Sequence, residues 1–397
     1  MKKHLLAAAL TAAMATTSFA NAGETINVGV ILGFTGPIES LTPDMAASAE
    51  LAFKEASDSG MLLNGSTIVP IRADSTCVDA SAATAAAERL ITSDKVVAIM
   101  GADCSGVTTA IANSVAIPKG VVMVSPSATT PALTSIEDKG FFFRTAPSDA
   151  RQGQVLADAV FENGVKNIAV TYTNNDYGKG LSDSFVGAFK ALGGKVSIVA
   201  AHEDGKADYS AEVAALAASG ADKLAVLGYL DQGGKGIIQA SIDTGAFETF
   251  ALGDGMIGQS LVDAFGNDMV DSIGTSPGGA SDAGAKFVEM AKANKIGGEG
   301  PYDGTSYDAG ALIALAIQAG NSADRASIQA NMMNVANAPG TKIYPGEIKK
   351  ALEILAKGGE VDYVGATNIE FSDVGEVFGT YKQLEIKDNK FSLVKVR

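Results

Sequence analysis

The sequence predicts an α/β protein built from two doubly wound parallel-sheet lobes. Short apolar runs with little polar alternation are separated by stretches of helical periodicity, the pattern of strands covered on both faces of a parallel sheet. The series runs once from residue 26 and starts again near residue 146. At 397 residues the chain is also too long for a single hydrophobic core.

The first series opens with the nearly continuous apolar run Ile26-Asn27-Val28-Gly29-Val30-Ile31-Leu32, followed by a turn-rich segment from Gly33 to Pro37. Thr42-Pro43 reads as an N-cap with proline at the first helical position. Behind it Met45, Ala49, Ala52, Phe53 and Ala56 recur at helical spacing. Ile68 to Ala73 is a strand, and Asp79 caps an alanine-rich helix running to about Ile91. Val96 to Met100, a helix near Val107 to Val115, and Val121 to Val124 continue the alternation. In the second series Ser148 caps a helix with Val155, Leu156, Ala159 and Val160 on one side, ended by Gly164. Ile168 to Tyr172 is a strand. A helix over Gly180 to Leu192 is stopped by Gly193-Gly194. Val196 to Ala201, a helix ending at Gly220, and Leu224 to Leu227 follow.

The N-terminus carries Lys2 and Lys3, an apolar stretch from Leu5 to Ala15, and the small residues Ala20 and Ala22. That order is a secretory signal peptide over residues 1–22, with a soluble mature chain starting near Gly23. The apolar stretch falls short of the roughly 20 residues a membrane anchor needs. Thirty basic residues face 45 acidic ones, a net charge of −15. Such a surface repels phosphate backbones and anionic lipid, which argues against nucleic-acid and membrane-surface partners. In an exported protein the two cysteines, Cys77 and Cys104, are most simply a disulfide; a metal site or catalytic thiol is the alternative. With only His202 left after cleavage, a Cys/His metal site is short of ligands.

In open parallel sheets ligands bind beyond the carboxyl ends of the strands, so candidate residues are those just after strands. Ser105, in Gly101-Ala102-Asp103-Cys104-Ser105-Gly106, is placed to cap the following helix and to offer a carboxylate free N–H groups. Ser127, Ala128 and Thr129 sit in the stiff, hydroxyl-rich loop Ser125 to Pro131. Tyr177, Tyr229 and Asp254 follow three second-lobe strands, and Asp254, between two glycines, suits an ammonium group. His202 lies in a polar run and reads as a surface residue. The chain lacks G-x-S-x-G, H-E-x-x-H and P-loop spacings. No catalytic set, metal or cofactor is therefore expected, and the chain is not read as an enzyme.

Taken in order, Val28 to Pro37, Gly101 to Ser105, Ser125 to Pro131 and Asp176-Tyr177-Gly178-Lys179-Gly180 resemble the leucine/isoleucine/valine-binding protein family, the type I periplasmic solute-binding proteins, across essentially the whole mature chain. The resemblance implies three hinge strands, with crossovers near Ala146, Thr275 and Val377. Lobe 1 would then be 23–145 plus 276–377, and lobe 2 would be 146–275 plus 378–397. It implies a Cys77–Cys104 disulfide. It puts Ser105 and Thr129 on a ligand α-carboxylate, and the Ser127 carbonyl and Thr129 hydroxyl on the α-ammonium. Asp254 stands where the amino-acid binders carry a glutamate, one methylene longer. Tyr177, Tyr229 and Tyr302 fall on ring-bearing walls. Leu41 falls where leucine-type receptors place an aromatic ring, so the side-chain pocket differs and leucine itself is not assumed. The function implied is that of a monomeric periplasmic receptor. It would close on an amino-acid zwitterion, branched-chain or related, and deliver it to an inner-membrane ABC permease. The alternative is a soluble sensing receptor for amino acids, amides or small organic acids that feeds a sensor or regulatory system.

Overall fold

The computed structural model describes residues 23–397. The expected signal peptide lies outside the described residues. The first apolar runs become β1 (Thr25–Leu32), β2 (Thr67–Asp74), β3 (Ala98–Gly101), β4 (Val122–Ser125) and β5 (Phe142–Arg144). They form one parallel sheet in the order β2-β1-β3-β4-β5. Every residue of β3 and β4 is buried, as strands covered on both faces require.

The second series gives β6 (Asn167–Thr173), β7 (Lys195–His202), β8 (Lys223–Leu227), β9 (Phe250–Leu252) and β10 (Ile273–Pro277). β11 (Thr341–Ile343) and β12 (Val361–Tyr363) make a small parallel pair. β13 (Tyr381–Lys387) and β14 (Lys390–Val396) return late in the chain and extend the second sheet antiparallel at one edge. Its order is β14-β13-β10-β9-β8-β6-β7. The architecture is therefore two α/β lobes, as the sequence pattern predicts.

The late helix Asp303–Ala319 packs along Thr42–Asp58 of the first lobe. Fifteen of its 17 residues are buried, so it is a central helix without a solvent stripe. Gly310 permits the approach, since a Cβ there would sit 2.7 Å from the Ala49 carbonyl oxygen.

Asp79 and Ser148 cap their helices as expected, through Ser81 N and Ala82 N at 2.9 and 3.0 Å and through Ala150 N at 3.3 Å. Three local readings are corrected. Leu41, not Thr42, occupies the cap of Thr42–Asp58, with the proline inside the first turn. Cys104, not Ser105, caps Ser105–Ile111, so Ser105 is the first helical residue. The helix expected from Gly180 begins at Asp176, because the Asn175 side chain accepts from Gly178 N at 3.0 Å and starts the helix one turn early.

His202 is not a surface residue. It is 1% exposed, with Nδ1 2.8 Å from the Thr171 hydroxyl, and burial pushes its pKa down to about 4. As the last residue of β7, its side chain turns into the packing between sheet and helix, so the polar run after it misled the reading.

Candidate functional site

Strand ends of the two sheets meet around one cavity. Ser105 follows β3, Ser127 follows β4, Tyr177 follows β6, Tyr229 follows β8 and Gly255 follows β9. All line the cavity, together with Ile38, Asp103, Cys104 and Tyr302. The cavity volume open to water-sized molecules is only about 10 Å³, so the side chains of the two walls nearly fill the space between them. Gly101 makes the first-lobe wall possible. Its φ is +125°, and a Cβ would fall 2.1 Å from the Ile31 carbonyl oxygen, a conformation and a contact only glycine accepts.

The first-lobe wall is rigid and rich in hydroxyls. Cys77 and Cys104 are disulfide-bonded with Cα atoms 5.1 Å apart. Next to them Asp103 is fully buried, yet it accepts from Gly33 N at 2.6 Å, Cys104 N at 2.9 Å and the Ser75 hydroxyl at 3.1 Å. The Ser105 oxygen accepts from Thr130 N at 3.1 Å, which leaves its O–H free to donate. The Ser127 hydroxyl donates to the Asp103 carbonyl at 3.1 Å. Thr129 is fully buried, and Asp149 is the one group beside its hydroxyl.

The second-lobe wall is aromatic and acidic. The Tyr177 and Tyr229 rings stack with centroids 5.0 Å apart. Asp254 is fully buried and accepts from the Tyr177 hydroxyl at 2.8 Å and from Gly255 N at 3.0 Å, and it also interacts with the Tyr302 hydroxyl. Burial raises its pKa. Burial first, and the Asp254 charge second, hold the Tyr177 and Tyr302 phenols well above the usual tyrosine value, so both remain O–H donors.

Of the residues picked from sequence, Ser105, Ser127, Tyr177, Tyr229 and Tyr302 meet at the cavity. Thr129 and Asp254 lie behind its wall, where the Tyr177 hydroxyl is folded onto the Asp254 carboxylate. Ala128 is also buried behind the wall, its carbonyl accepting from Arg144 at 3.3 Å. Leu41 does not reach the cavity. It is 8% exposed and packs toward Leu230 and Gly258, while Ile38, one turn earlier, takes the wall position.

Sequence reasoning missed two residues. Asp149 opens the helix Asp149–Glu162 and Gln152 follows one turn later on the same face; both are fully buried. With its nitrogen facing acceptors and its oxygen facing donors, the Gln152 amide donates to Asp149 Oδ1 at 3.2 Å and to Asp254 Oδ1 at 3.1 Å. Its oxygen accepts from Asp254 N at 2.9 Å and from the Thr275 hydroxyl at 3.0 Å. The Asp149 backbone N–H donates to the Thr129 carbonyl at 2.8 Å, across the junction between the lobes. The available signal was the polar pair Asp149 and Gln152 in the first turn after a strand end; reading Ser148 only as a cap hid it.

Arg144 is the neighbouring base. It is 1% exposed and bonds to the Glu376 carboxylate, the Thr134 hydroxyl at 2.8 Å and the Thr130 carbonyl at 2.9 Å. Its charge is therefore spent on Glu376. Asp149 and Asp254 are left as two buried carboxyls facing hydroxyls.

Comparison with known proteins agrees with this fold. A leucine binding protein of Thermotoga maritima superposes with a TM-score of 0.78 and 25% identity, covering 94% of this chain and 98% of that one. A solute binding protein of an ABC transporter from R. palustris, in complex with 4-hydroxybenzoate, superposes with a TM-score of 0.74 at 20% identity, covering 94% and 97%. The Leu/Ile/Val-binding protein homolog 3 of Brucella melitensis biotype 1 is 30% identical over 347 residues, 83% of this chain and 90% of its own length. These relatives are solute-binding proteins rather than enzymes. Residues 25–349 match the periplasmic binding protein family, and the chain belongs to that family, on its leucine/isoleucine/valine-binding branch.

Proposed function

We propose that this chain is a periplasmic receptor for a free amino acid, branched-chain or related, exported by its signal peptide over residues 1–22 and serving an inner-membrane ABC permease as a monomer. One observation carries the reading: two buried carboxyls, Asp149 and Asp254, stand without a cation of their own, behind a small cavity whose opposite wall offers hydroxyl donors. An ammonium group supplies the missing charge, and a carboxylate suits the free O–H of Ser105.

In this reading the first lobe, 23–145 plus 276–377, captures the carboxylate end through Ser105, Ser127 and Thr129. The second lobe, 146–275 plus 378–397, then closes and brings Tyr177, Tyr229 and Asp254 onto the ammonium and side chain, opposite Tyr302 of the first lobe. Tyr177 holds the Asp254 oxygen that an ammonium N–H would take, so its hydroxyl yields on binding. Only the closed state makes both sets of contacts, and that difference in affinity drives closure.

An aromatic acid without an ammonium, such as the 4-hydroxybenzoate of the R. palustris neighbour, brings a further negative charge to an acid-rich site, so electrostatics disfavour it here. A thermal-shift screen of the mature protein against L-amino acids, amides and aromatic acids tests the choice. An L-amino acid at 100 times its dissociation constant is expected to add about 2.7 kcal/mol of stability. Stabilisation by aromatic acids or amides alone refutes the reading.

A further inference from the structure

The acid cluster behind the cavity sets two carboxyls against the single positive charge of an ammonium group. One nitrogen, Gln152 Nε2, lies within 3.2 Å of oxygens on both Asp149 and Asp254, and both carboxyls are fully buried. Asp149 and the Thr129 hydroxyl lie beside one another, and neither Asp149 Oδ2 nor Thr129 Oγ1 has any other hydrogen-bond partner.

The charges facing this cluster are few. Arg144 reaches toward Asp149, but its guanidinium is committed to Glu376, Thr134 and the Ala128 and Thr130 carbonyls. Tyr177 and Tyr302 face Asp254 as neutral phenols. Tyr381, buried on β13, points its hydroxyl at the Pro147 carbonyl at 3.2 Å. Arg151, on the same helix as Asp149, is solvent-exposed. Asp103, across the cavity, is occupied by its own three donors.

We propose that the Asp149–Gln152–Asp254 cluster carries one shared proton in the ligand-free protein and releases it when the ligand's ammonium enters, so that binding is proton-linked. The proposal rests on reading the site as an amino-acid site. Gln152 is its positioning residue, with one N–H for each carboxyl and an oxygen anchored on the Asp254 backbone and the Thr275 hydroxyl. The balance is simple. The O–H bond of the protonated carboxyl breaks and its proton passes to the buffer. The ammonium keeps its three N–H bonds and donates them to the two carboxylates and to Thr129 Oγ1. Burial raises the pKa of both acids, and the Asp254 charge raises that of Asp149 further, which supports a retained proton. Where the ligand-free cluster holds that proton, the dissociation constant rises about tenfold for each pH unit of acidification.

The test is isothermal titration calorimetry of the mature protein between pH 5.5 and 7.5, in acetate and MES at the acid end and in phosphate and Tris at pH 7.5, pairs whose ionisation enthalpies differ. The twenty proteinogenic L-amino acids are the probes, and the strongest binder in a thermal-shift screen is titrated. The expected result is release of about one proton per ligand within that range, falling to about none in Asp149→Asn, which still binds more weakly. A binding enthalpy independent of buffer at every pH, or an unchanged proton count in Asp149→Asn, overturns the linkage while leaving the amino-acid reading intact. Failure of every amino acid to bind overturns the functional reading, and the linkage with it.

Discussion

Asp149→Asn separates binding from stability. Asparagine keeps the shape and leaves one oxygen to accept from Gln152. Its amide nitrogen replaces Oδ2 beside the Thr129 hydroxyl, the one neighbour of that oxygen, and can donate to it. It also removes one of two acids that cannot both ionise without repulsion. Both acids sit against one amide nitrogen, and at roughly 5 Å with an effective dielectric of about 20 two unit charges repel by about 3 kcal/mol. Both carboxyls have raised pKa values in the folded protein. The folded chain therefore holds protons that the unfolded chain has released. The resulting penalty is absent near pH 4, grows by up to about 1.4 kcal/mol per pH unit as pH rises, and levels off above the folded pKa. The ligand-free variant is thus expected to be about 2 kcal/mol more stable than the parent at pH 7.5. At about 2–4 °C per kcal/mol for lobes of roughly 150–250 residues, that is near 5 °C in Tm. The gain should vanish toward pH 4. Differential scanning calorimetry at the two pH values reads it. A lower Tm for Asp149→Asn at pH 7.5, or the same gain at both pH values, refutes the account of two repelling acids.

Asp254→Ala should weaken amino-acid binding by at least about 30-fold in calorimetry, since truncating one partner of a desolvated charge pair costs roughly 2–5 kcal/mol; a change below about threefold removes Asp254 from the site. Replacing Cys77 and Cys104 together by serine should lower stability by about 2–5 kcal/mol and weaken binding, because the bridge holds the loop that carries Ser105. With its pKa pushed down to about 4, His202 stays neutral when folded but gains a proton when unfolded below about pH 6.5. It therefore removes up to about 3 kcal/mol between those values, and His202→Gln should flatten that limb of the stability–pH curve. Asp231→Ala should weaken binding about threefold through faster dissociation in stopped-flow, without touching the ligand, because its carboxylate accepts from Ser40 N at 2.9 Å.

The alternation of strands and helices was legible because buried parallel strands leave unbroken apolar runs such as Ile26–Leu32 and Leu224–Leu227. The strand-end rule found Ser105, Ser127, Tyr177 and Tyr229 because position after a strand is a property of local sequence. Asp149 and Gln152 were not legible, because their meaning comes from Asp254, about a hundred residues later, brought beside them by the fold. Read alone they are an ordinary polar first turn. Leu41 and Ile38 differ by one helical turn in a loop, where spacing does not say which side chain faces inward. His202 failed for the opposite reason. Its polar neighbours describe the loop after β7, while its own side chain belongs to the packing under the strand.

The acids also account for why closure should wait for ligand in the proposed cycle. Two hydrogen bonds join the lobes at the cavity rim without any ligand: Ser40 N to the Asp231 carboxylate at 2.9 Å, and Asp231 N to the Pro37 carbonyl at 2.9 Å. At about 0.5–1.5 kcal/mol each they favour closing but do not decide it. Against them stands the desolvation of Asp149 and Asp254, which belong to the same lobe and are fully buried here, with Tyr302 of the other lobe among the groups that cover Asp254. A retained proton reduces that penalty, and a ligand ammonium removes more of it while adding contacts to both walls. The contacts made by a neutral or anionic solute leave the penalty in place. Discrimination for a cationic group and coupling of that group to closure then have one physical cause, the cost of burying two carboxyls with no base of their own.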